Sequence, residues 1–183
     1  MRKMNQIQII VNNGAGTGKA FQVWNETRKL LRRYKVKYTA HATRYRGHAT
    51  RLAEKISAME GNAPVYLIVV GGDGTINEVL NGITDFDRVR LGVIPTGSGN
   101  DFCRNLKLPA TPEESLRQIL VCIRRDRQGK ELQRIDLGQV TWEGCRKPRI
   151  FGISAGVGLD ALVCKKALDS RLKRVLNRLH LGK

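Results

Sequence analysis

An apolar run that ends in a glycine-rich turn constrains the fold of this chain more than any other feature. Residues 65–70 (VYLIVV) are continuously apolar, and the turn Gly-Gly-Asp-Gly-Thr occupies residues 71–75 directly after them. Such a run is typical of a parallel strand that is buried on both faces, and glycines let the backbone bend sharply and approach a ligand closely. We therefore expect a central strand that enters a helix through a ligand-binding turn.

Further apolar runs alternate with amphipathic segments up to about residue 124. Strands are predicted at residues 7–11, 37–42, 65–70 and 90–94. Helices are predicted at residues 20–34, 47–58, 75–82 and 112–124. This alternation predicts an α/β fold, with an open, mostly parallel sheet and helices on both of its faces.

The chain changes character after residue 124. The basic segment 124–130 is interpreted as a linker or exposed turn, and predicted strands follow at residues 134–141 and 148–153. A final helical pattern is formed by Leu168, Leu172, Val175, Leu176 and Leu179. Two strands and one helix are too few to bury a core of their own, so residues 131–183 are predicted to begin an incomplete β-rich second domain.

The net charge of the chain indicates an anionic partner. Its 33 Lys and Arg residues outnumber its 16 Asp and Glu residues, which gives a net charge of +17. Nucleic acid, a membrane surface and a phosphorylated substrate all fit this charge, but an aromatic content of 5% offers few surfaces on which bases could stack.

No apolar run approaches the ~18 residues of a transmembrane helix and no signal peptide is evident, so an intracellular protein is predicted. Four widely spaced cysteines predict neither disulfides nor a zinc site.

The glycine turn at residues 71–75 is the strongest candidate for a functional site. Ligands of open parallel sheets bind outside the carboxyl ends of the strands, and free N–H groups at a helix start attract phosphate. Thr75 adds a hydroxyl donor, whereas Asp73 would need a metal, a water molecule or a hydroxyl group beside it. Asn77 and Glu78 continue the site one turn later. The alternatives are that Asp73 caps its own helix and that Glu78 is a solvated helix-start residue.

Three other segments are expected at the same edge of the sheet. Loop 95–102 offers the Ser98 hydroxyl for a phosphate or ribose and the Asp101 carboxylate for a water molecule or metal. Thr43 ends the second predicted strand as a candidate phosphate donor. Loop 12–18 is rich in glycine, but it matches neither the dinucleotide pattern nor the phosphate-loop pattern, since Lys19 stands where the former needs its last glycine.

Segments 71–82 and 95–104 resemble the diacylglycerol-kinase-like lipid kinases, a group that includes the sphingosine kinases and the soluble bacterial diacylglycerol kinases. Segments 135–138 and 156–161 are also similar to this family. The resemblance implies transfer of the γ-phosphate of ATP, with Mg²⁺, to a lipid hydroxyl such as that of diacylglycerol. It implies a cytoplasmic protein peripheral to an anionic membrane, with a nucleotide-binding catalytic domain at residues 1–130 and the beginning of the lipid-binding domain at 131–183.

The same resemblance assigns roles to individual residues. Asp73 would orient groups at the phosphoryl-transfer site, and Asp101 and Asp136 would join a water network around Mg²⁺, with no direct metal ligand assigned. The nucleotide would contact Asn12, Asn13, Gly14, Ala15, Gly16, Thr43, Gly71, Gly72, Asp73, Gly74, Thr75, Asn77, Glu78 and Ser98. The family usually has Pro in place of Asn13 and Thr in place of Ser98. It also has a later acidic motif, carrying the general base and metal ligands, that these 183 residues do not reach.

Three other functions stay open at this point. A glycine-glycine-aspartate-glycine turn also occurs in NAD kinases, so NAD is an alternative acceptor. A truncated second domain would be compatible with a non-catalytic, nucleotide-binding remnant. The net charge keeps a nucleic-acid-binding module as the weakest alternative, and a homodimer is compatible with the sequence.

Overall fold

A computed structural model describes residues 7–12 and 19–169 of the chain. Four parallel strands form one sheet in the order β2-β1-β3-β4. They are β1 (Ile7–Val11), β2 (Tyr38–Ala42), β3 (Val65–Gly71) and β4 (Val89–Pro95). The helices are α1 (Lys19–Arg33), α2 (His48–Ser57), α3 (Asp73–Leu80), α4 (Asp101–Asn105), α5 (Pro112–Arg127) and α6 (Leu159–Asp169). The short strands β5 (Gly138–Val140) and β6 (Arg149–Phe151) form an antiparallel pair. The predicted α/β fold with a parallel sheet is confirmed.

The two central strands are buried along their whole length. Every residue of β1 and β3 is buried, so both faces of the sheet need a cover of helices. Alternate side chains of β3 enter two separate clusters: Tyr66, Ile68 and Val70 on one face, and Val65, Leu67 and Val69 on the other. Helices α1 and α5 pack over the first face, while α2 and α3 pack over the second. This two-sided burial explains why β3 is a continuous apolar run.

Helix α5 extends beyond the predicted end at residue 124. The predicted linker is therefore wrong in its first part, because residues 124–127 are helical. Asp126 accepts a 2.8 Å hydrogen bond from the Tyr66 hydroxyl and a 3.0 Å bond from Arg90 Nε. Burial, followed by this hydrogen bond to Asp126, raises the pKa of Tyr66. These contacts fix the end of α5 beside the first residues of β3 and β4, which a local reading of a basic segment could not reveal.

The strand order creates a crevice at the carboxyl ends of β1 and β3. From β1 the chain passes through α1 on one face of the sheet to β2, and it returns through α2 on the other face to β3. Ligands of open α/β sheets bind where the strand order reverses in this way. Just beyond the two strands, Asn12 N donates a 3.0 Å hydrogen bond to the Val70 carbonyl. The fold thus places Asn12 and the turn after β3 side by side.

Strand β6 is held beside α3 by an asparagine. Asn81, just after α3, donates to the Ile150 carbonyl at 2.8 Å and accepts from Ile150 N at 2.9 Å. Gly152 lies against Phe102, where an added Cβ would come within 2.8 Å of the ring. Both strands of this pair are shorter than predicted, and the helical pattern from Leu172 to Leu179 lies outside the described residues. The domain boundary at residue 130 stays a prediction.

The described part of the chain contains no helix that is long and apolar enough to cross a membrane. Its four cysteines, Cys103, Cys122, Cys145 and Cys164, are free thiols.

Candidate functional site

A chain of hydrogen bonds joins three of the predicted site residues. The Thr43 hydroxyl donates to Asn12 Oδ1 at 3.3 Å, and Asn12 Nδ2 donates to the Thr75 hydroxyl at 2.8 Å. Thr43 follows β2, Asn12 follows β1, and Thr75 lies in the first turn of α3. The structure therefore brings these side chains, which are far apart in sequence, to one point at the carboxyl edge of the sheet.

The two glycine loops touch each other behind this chain. An added Cβ on Gly72 would come within 3.2 Å of Gly97 Cα, and one on Gly71 would come within 2.7 Å of Thr75 Cβ. Thr96 N also donates a 3.1 Å hydrogen bond to the Gly71 carbonyl. Nothing lies within 4 Å of a Cβ added to Gly74, so the first turn of α3 is open on that side. The Thr75 side chain thus explains Gly71 and the Gly97 backbone explains Gly72, whereas Gly74 has no such neighbour.

Asp73 caps a different helix from the one it begins. Its Oδ2 accepts a hydrogen bond from Asp101 N and its Oδ1 accepts one from Phe102 N, both at 3.1 Å. These are the first two residues of α4, whereas the N-cap of α3 is Gly72, which has no side chain to cap with. The alternative that Asp73 caps its own helix is therefore wrong. The carboxylate instead locks the second glycine loop against the first.

Two carboxylates lie together at this contact. A Cβ added to Gly99 would be 3.4 Å from Asp73 Oδ2 and 3.5 Å from Asp101 Oδ2, so both acids border the same glycine. Cys103 lies buried nearby, and burial together with the charge of Asp73 raises its pKa to about 11. The thiol is thus protonated at neutral pH and is not a nucleophile.

The acid pair fits Mg²⁺ in its donor chemistry. Magnesium prefers oxygen ligands and is usually held by one or two carboxylates together with substrate phosphates and water molecules. Each Asp73 oxygen accepts one backbone N–H and keeps a further lone pair, and the Asp101 side chain is exposed. Among the described residues no group of three or more His, Cys, Asp or Glu side chains could hold a metal ion. The pair would need ligands from the nucleotide or from other residues.

The loop that carries Ser98 is closed by Asn100. Gly97 N donates to Asn100 Oδ1 at 2.9 Å, and Asn100 Nδ2 donates back to the Gly97 carbonyl at 2.7 Å. Asn100 has a positive φ of 51°, a conformation that asparagine tolerates better than most residues. Ser98 is left exposed at the tip of this loop, which is compatible with its predicted contact to a nucleotide.

Glu78 and Asn77 are both engaged in hydrogen bonds within the protein. Glu78 accepts hydrogen bonds from Gly47 N at 2.9 Å and Ala49 N at 3.2 Å, so it caps the start of α2. Asn77 Nδ2 donates to the Ile150 carbonyl at 3.3 Å, toward β6. Their predicted contacts with the nucleotide have no support in this geometry, and the reading of Glu78 as a solvated residue is wrong. Both side chains instead join elements that lie far apart in sequence.

Asp136 is not brought to the acid pair. It is exposed in the segment between α5 and β5, where it borders a groove along β4. Among the hydrogen bonds and ion pairs of the described residues, none links Asp136 to Asp73 or Asp101. The remaining predicted nucleotide contacts, Asn13, Gly14, Ala15 and Gly16, lie outside the described residues.

Sequence reasoning missed helix α4 and the residues that hold it. A loop was predicted at residues 95–102 and no helix after it, but residues 101–105 form α4, and the Asp73 carboxylate accepts hydrogen bonds from the first two N–H groups of this helix. Arg104 adds a 3.2 Å hydrogen bond to the Gly99 carbonyl and a 3.5 Å ion pair to Asp101. A usable signal was present, since an acid at residue 101 and a base at residue 104 complement the two ends of a short helix.

Comparison with known proteins shows the family of this chain. The sequence model of the diacylglycerol kinase catalytic domain matches residues 6–140. The chain belongs to this family. Residues 6–140 include the whole four-stranded sheet, the Thr43–Asn12–Thr75 chain and the acid pair. The family resemblance stated from the two glycine motifs is confirmed.

Individual relatives give the same result. A Bacillus subtilis protein provisionally named lipid kinase YtlR is 34% identical over 174 residues, which cover 94% of this chain and 54% of the relative. Diacylglycerol kinase of Bacillus subtilis is 36% identical over 142 residues, which cover 77% of this chain and 41% of the relative. The crystal structure of a diacylglycerol kinase from Bacillus anthracis superposes with a TM-score of 0.53 at 28% identity, covering 65% of this chain and 40% of that one. The chain thus spans about half the length of the curated relatives it matches.

Proposed function

We propose that this chain is the nucleotide-binding part of a lipid kinase that transfers the γ-phosphate of ATP to a lipid hydroxyl, such as that of diacylglycerol. One observation carries the proposal: the Thr43–Asn12–Thr75 chain and the Asp73–α4 contact meet at the carboxyl edge of the sheet. Hydroxyl and amide donors and an acid pair at such a crevice suit a nucleotide with its divalent cation. Family membership supports the same chemistry.

The phosphates of ATP would lie over the first turn of α3. Its N-cap, Gly72, provides no side-chain oxygen, so the N–H groups of Asp73 and Gly74 have no partner within the helix. These groups and the positive end of the helix dipole favour an anion. Ser98 at the tip of the neighbouring loop would add a hydroxyl donor. Nothing lies within 4 Å of a Cβ added to Gly74, so the ligand could approach the first turn of α3 on that side.

Phosphoryl transfer depends mainly on positioning and on neutralising charge. Asp73 holds α4 in place and lies beside Asp101, so the two carboxylates would form one acidic surface for a hydrated cation. Mg²⁺, when bound, would neutralise charge on the phosphates. Asp136, which makes no direct hydrogen bond to either acid in the described structure, would join through water molecules, and the general base is expected in residues that relatives have beyond the part matched here.

The lipid side of the reaction is proposed from the family and from the charge. Residues 131–183 would begin the lipid-binding domain, and the net charge of +17 would favour an anionic membrane on the cytoplasmic side. A nucleic-acid partner is disfavoured by the small number of aromatic residues. NAD as acceptor and a remnant that only binds nucleotide are the outcomes that experiments have to separate.

Titration calorimetry with Mg²⁺-ATP tests the nucleotide site in this chain. Asn12→Ala removes the centre of the hydrogen-bond chain, and we expect its affinity for ATP to fall about tenfold or more. Asn62→Ala, at an exposed position before β3, is the matched control and should bind like the unchanged chain. Equal affinities of the two variants would remove Asn12 from the site.

Acceptor identity needs the complete gene product that contains this chain. Radiolabelled ATP is offered with vesicles that contain diacylglycerol and, in a separate reaction, with NAD. Label in the organic phase supports the lipid kinase, and label on NAD supports the alternative. ATP binding with transfer to neither acceptor would favour the remnant.

A further inference from the structure

The loop that follows β2 presents two arginines and a tyrosine at the edge that carries the site. Arg44, Tyr45 and Arg46, here called the arginine loop, are all exposed, and 53% of the Tyr45 surface is accessible. They directly follow Thr43, the first member of the hydrogen-bond chain at the nucleotide crevice. The loop therefore lies next to the site and not on a remote surface.

The arginine loop is held in a defined conformation. The Tyr45 and His48 rings are stacked, with centroids 4.6 Å apart and an angle of 18° between their planes. Arg44 N donates to His48 Nδ1 at 3.1 Å, and His48 N donates to the Tyr45 carbonyl at 3.1 Å. The Arg51 guanidinium lies 6.0 Å from the Tyr45 ring centroid and donates to its hydroxyl at 3.4 Å. Part of the conformational entropy that the Tyr45 side chain would lose on binding has thus already been lost on folding.

The positive charge of the loop has no acidic counterpart in the described structure. Among the described ion pairs, none involves Arg44, Arg46 or Arg51. Glu78 contacts the residues that follow the loop, and its two oxygens already accept hydrogen bonds from Gly47 N and Ala49 N. An amphipathic ring between unpaired cations is suited to the interface of an anionic bilayer, where the ring lies among headgroups and the cations meet anionic lipids.

Another basic surface lies at the opposite end of the sheet. Arg124 and Arg125 are exposed at the end of α5, next to Asp126, which bonds to residues at the beginnings of β3 and β4. The seven residues of β3 separate the two ends of the sheet by about 20 Å. Docking through α5 would leave the nucleotide crevice facing away from the bilayer, whereas docking through the arginine loop would bring the crevice to the lipid.

We infer that the arginine loop docks the site-bearing edge of the sheet onto an anionic lipid bilayer. The inference rests on the proposed function for its purpose, because a lipid kinase must meet its acceptor at a membrane. The binding itself needs no turnover, so it can be measured independently of the reaction.

Cosedimentation of the chain with vesicles tests the inference. Vesicles contain phosphatidylcholine alone or mixed with phosphatidylglycerol, and binding is expected only to the mixture. Arg44→Gln with Arg46→Gln should lower the partition coefficient roughly 30-fold, since each cation near an anionic surface contributes about fivefold. Arg124→Gln with Arg125→Gln removes the same charge from the opposite end and should change binding by less than about twofold. Tyr45→Ala should weaken binding further in the loop variant.

Lysine replacements at both loop positions keep the charge and should bind like the unchanged chain, which separates loss of charge from loss of fold. Equal losses in the loop and α5 variants would overturn the inference in favour of diffuse attraction, and a loss confined to the α5 variant would place the membrane at the other end. Tighter binding to single-stranded DNA than to anionic vesicles at physiological salt would overturn it in favour of a nucleic acid. The affinity of the same variants for ATP is measured in parallel. If the chain does not bind ATP but its binding to vesicles still depends on the arginine loop, the proposed function is contradicted and the docking surface is supported.

Discussion

Replacing Asp73 should separate its structural contribution from its contribution to nucleotide binding. The carboxylate accepts two backbone hydrogen bonds at 3.1 Å from the first residues of α4. Removing a helix-capping side chain typically costs about 0.5–2 kcal/mol. Because both oxygens are used and the acceptor is charged, we expect Asp73→Ala to lower the free energy of unfolding by about 1.5 kcal/mol.

Thermal and urea unfolding measure this loss. A change of about 1.5 kcal/mol should lower the Tm by roughly 3–6 °C in a domain of this size. Asp73→Asn keeps one acceptor oxygen, so its loss of stability should be the smaller of the two. Both variants remove the negative charge, so both should weaken the binding of Mg²⁺-ATP, and this common effect on binding distinguishes the charge from the cap.

Asp85 provides a matched control for this experiment. Its carboxylate also accepts two local backbone N–H groups, those of Asp87 at 3.0 Å and Arg88 at 3.1 Å, in the turn before β4. Asp85→Ala should therefore cost stability without changing ATP affinity. If Asp73→Ala unfolds like the unchanged chain, within about 0.3 kcal/mol, the capping role assigned to Asp73 is refuted.

Three further predictions concern residues that the tertiary structure brings together. Glu78→Ala removes the carboxylate that accepts hydrogen bonds from Gly47 N and Ala49 N, so the free energy of unfolding in urea should fall by about 1–2 kcal/mol. Calorimetry should show little change in ATP affinity, and a large loss of affinity with intact stability would restore Glu78 to the nucleotide site. Asp126→Ala leaves Tyr66 and Arg90 without their common partner, and the free energy of unfolding in urea should fall by about 2 kcal/mol. This loss is smaller than that of a fully buried pair because Arg90 is partly exposed. Unchanged stability would show that α5 does not depend on this contact. Burial, and then the charge of Lys55, lower the pKa of His41, so the folded state favours neutral histidine. The contribution of His41 to the free energy of unfolding is therefore present above the unfolded pKa of about 6.5, and it is lost as the pH falls below that value toward the folded pKa. Unfolding curves from pH 7.5 to 5.5 should show less acid sensitivity in His41→Gln than in the unchanged chain, and equal pH dependence would contradict this assignment.

The positions of the strands and most helices could be predicted from the sequence because their signals are local. A run such as residues 65–70 can be buried only with both faces covered, whatever the rest of the chain does. The glycine at residue 72 likewise marked a close approach of backbone, although its partner, Gly97, could not be named. The helix predicted from residue 112 does begin at Pro112, where the Thr111 hydroxyl accepts a hydrogen bond from Glu114 N.

The partners of the polar side chains could not be predicted because they are distant in sequence. Asp73 meets a residue 28 positions away, Glu78 one 31 positions away, and Asp126 one 60 positions away. Acids near glycine turns have the same local pattern whether they hold a cation or cap another helix. Only the packing of the elements decides which N–H groups come within reach of a carboxylate.

The sequence by itself determined the α/β class, the edge of the sheet that carries the site and the family, since these follow from apolar runs, strand-end glycines and two long motifs. Tertiary structure decided that Thr43, Asn12 and Thr75 form one hydrogen-bonded chain, that Asp73 and Asp101 share a glycine, and that Asp136 lies apart. The physical reason is that burial and backbone conformation are set by neighbouring residues, whereas the function of a polar side chain is set by whatever the fold brings within about 3 Å of it.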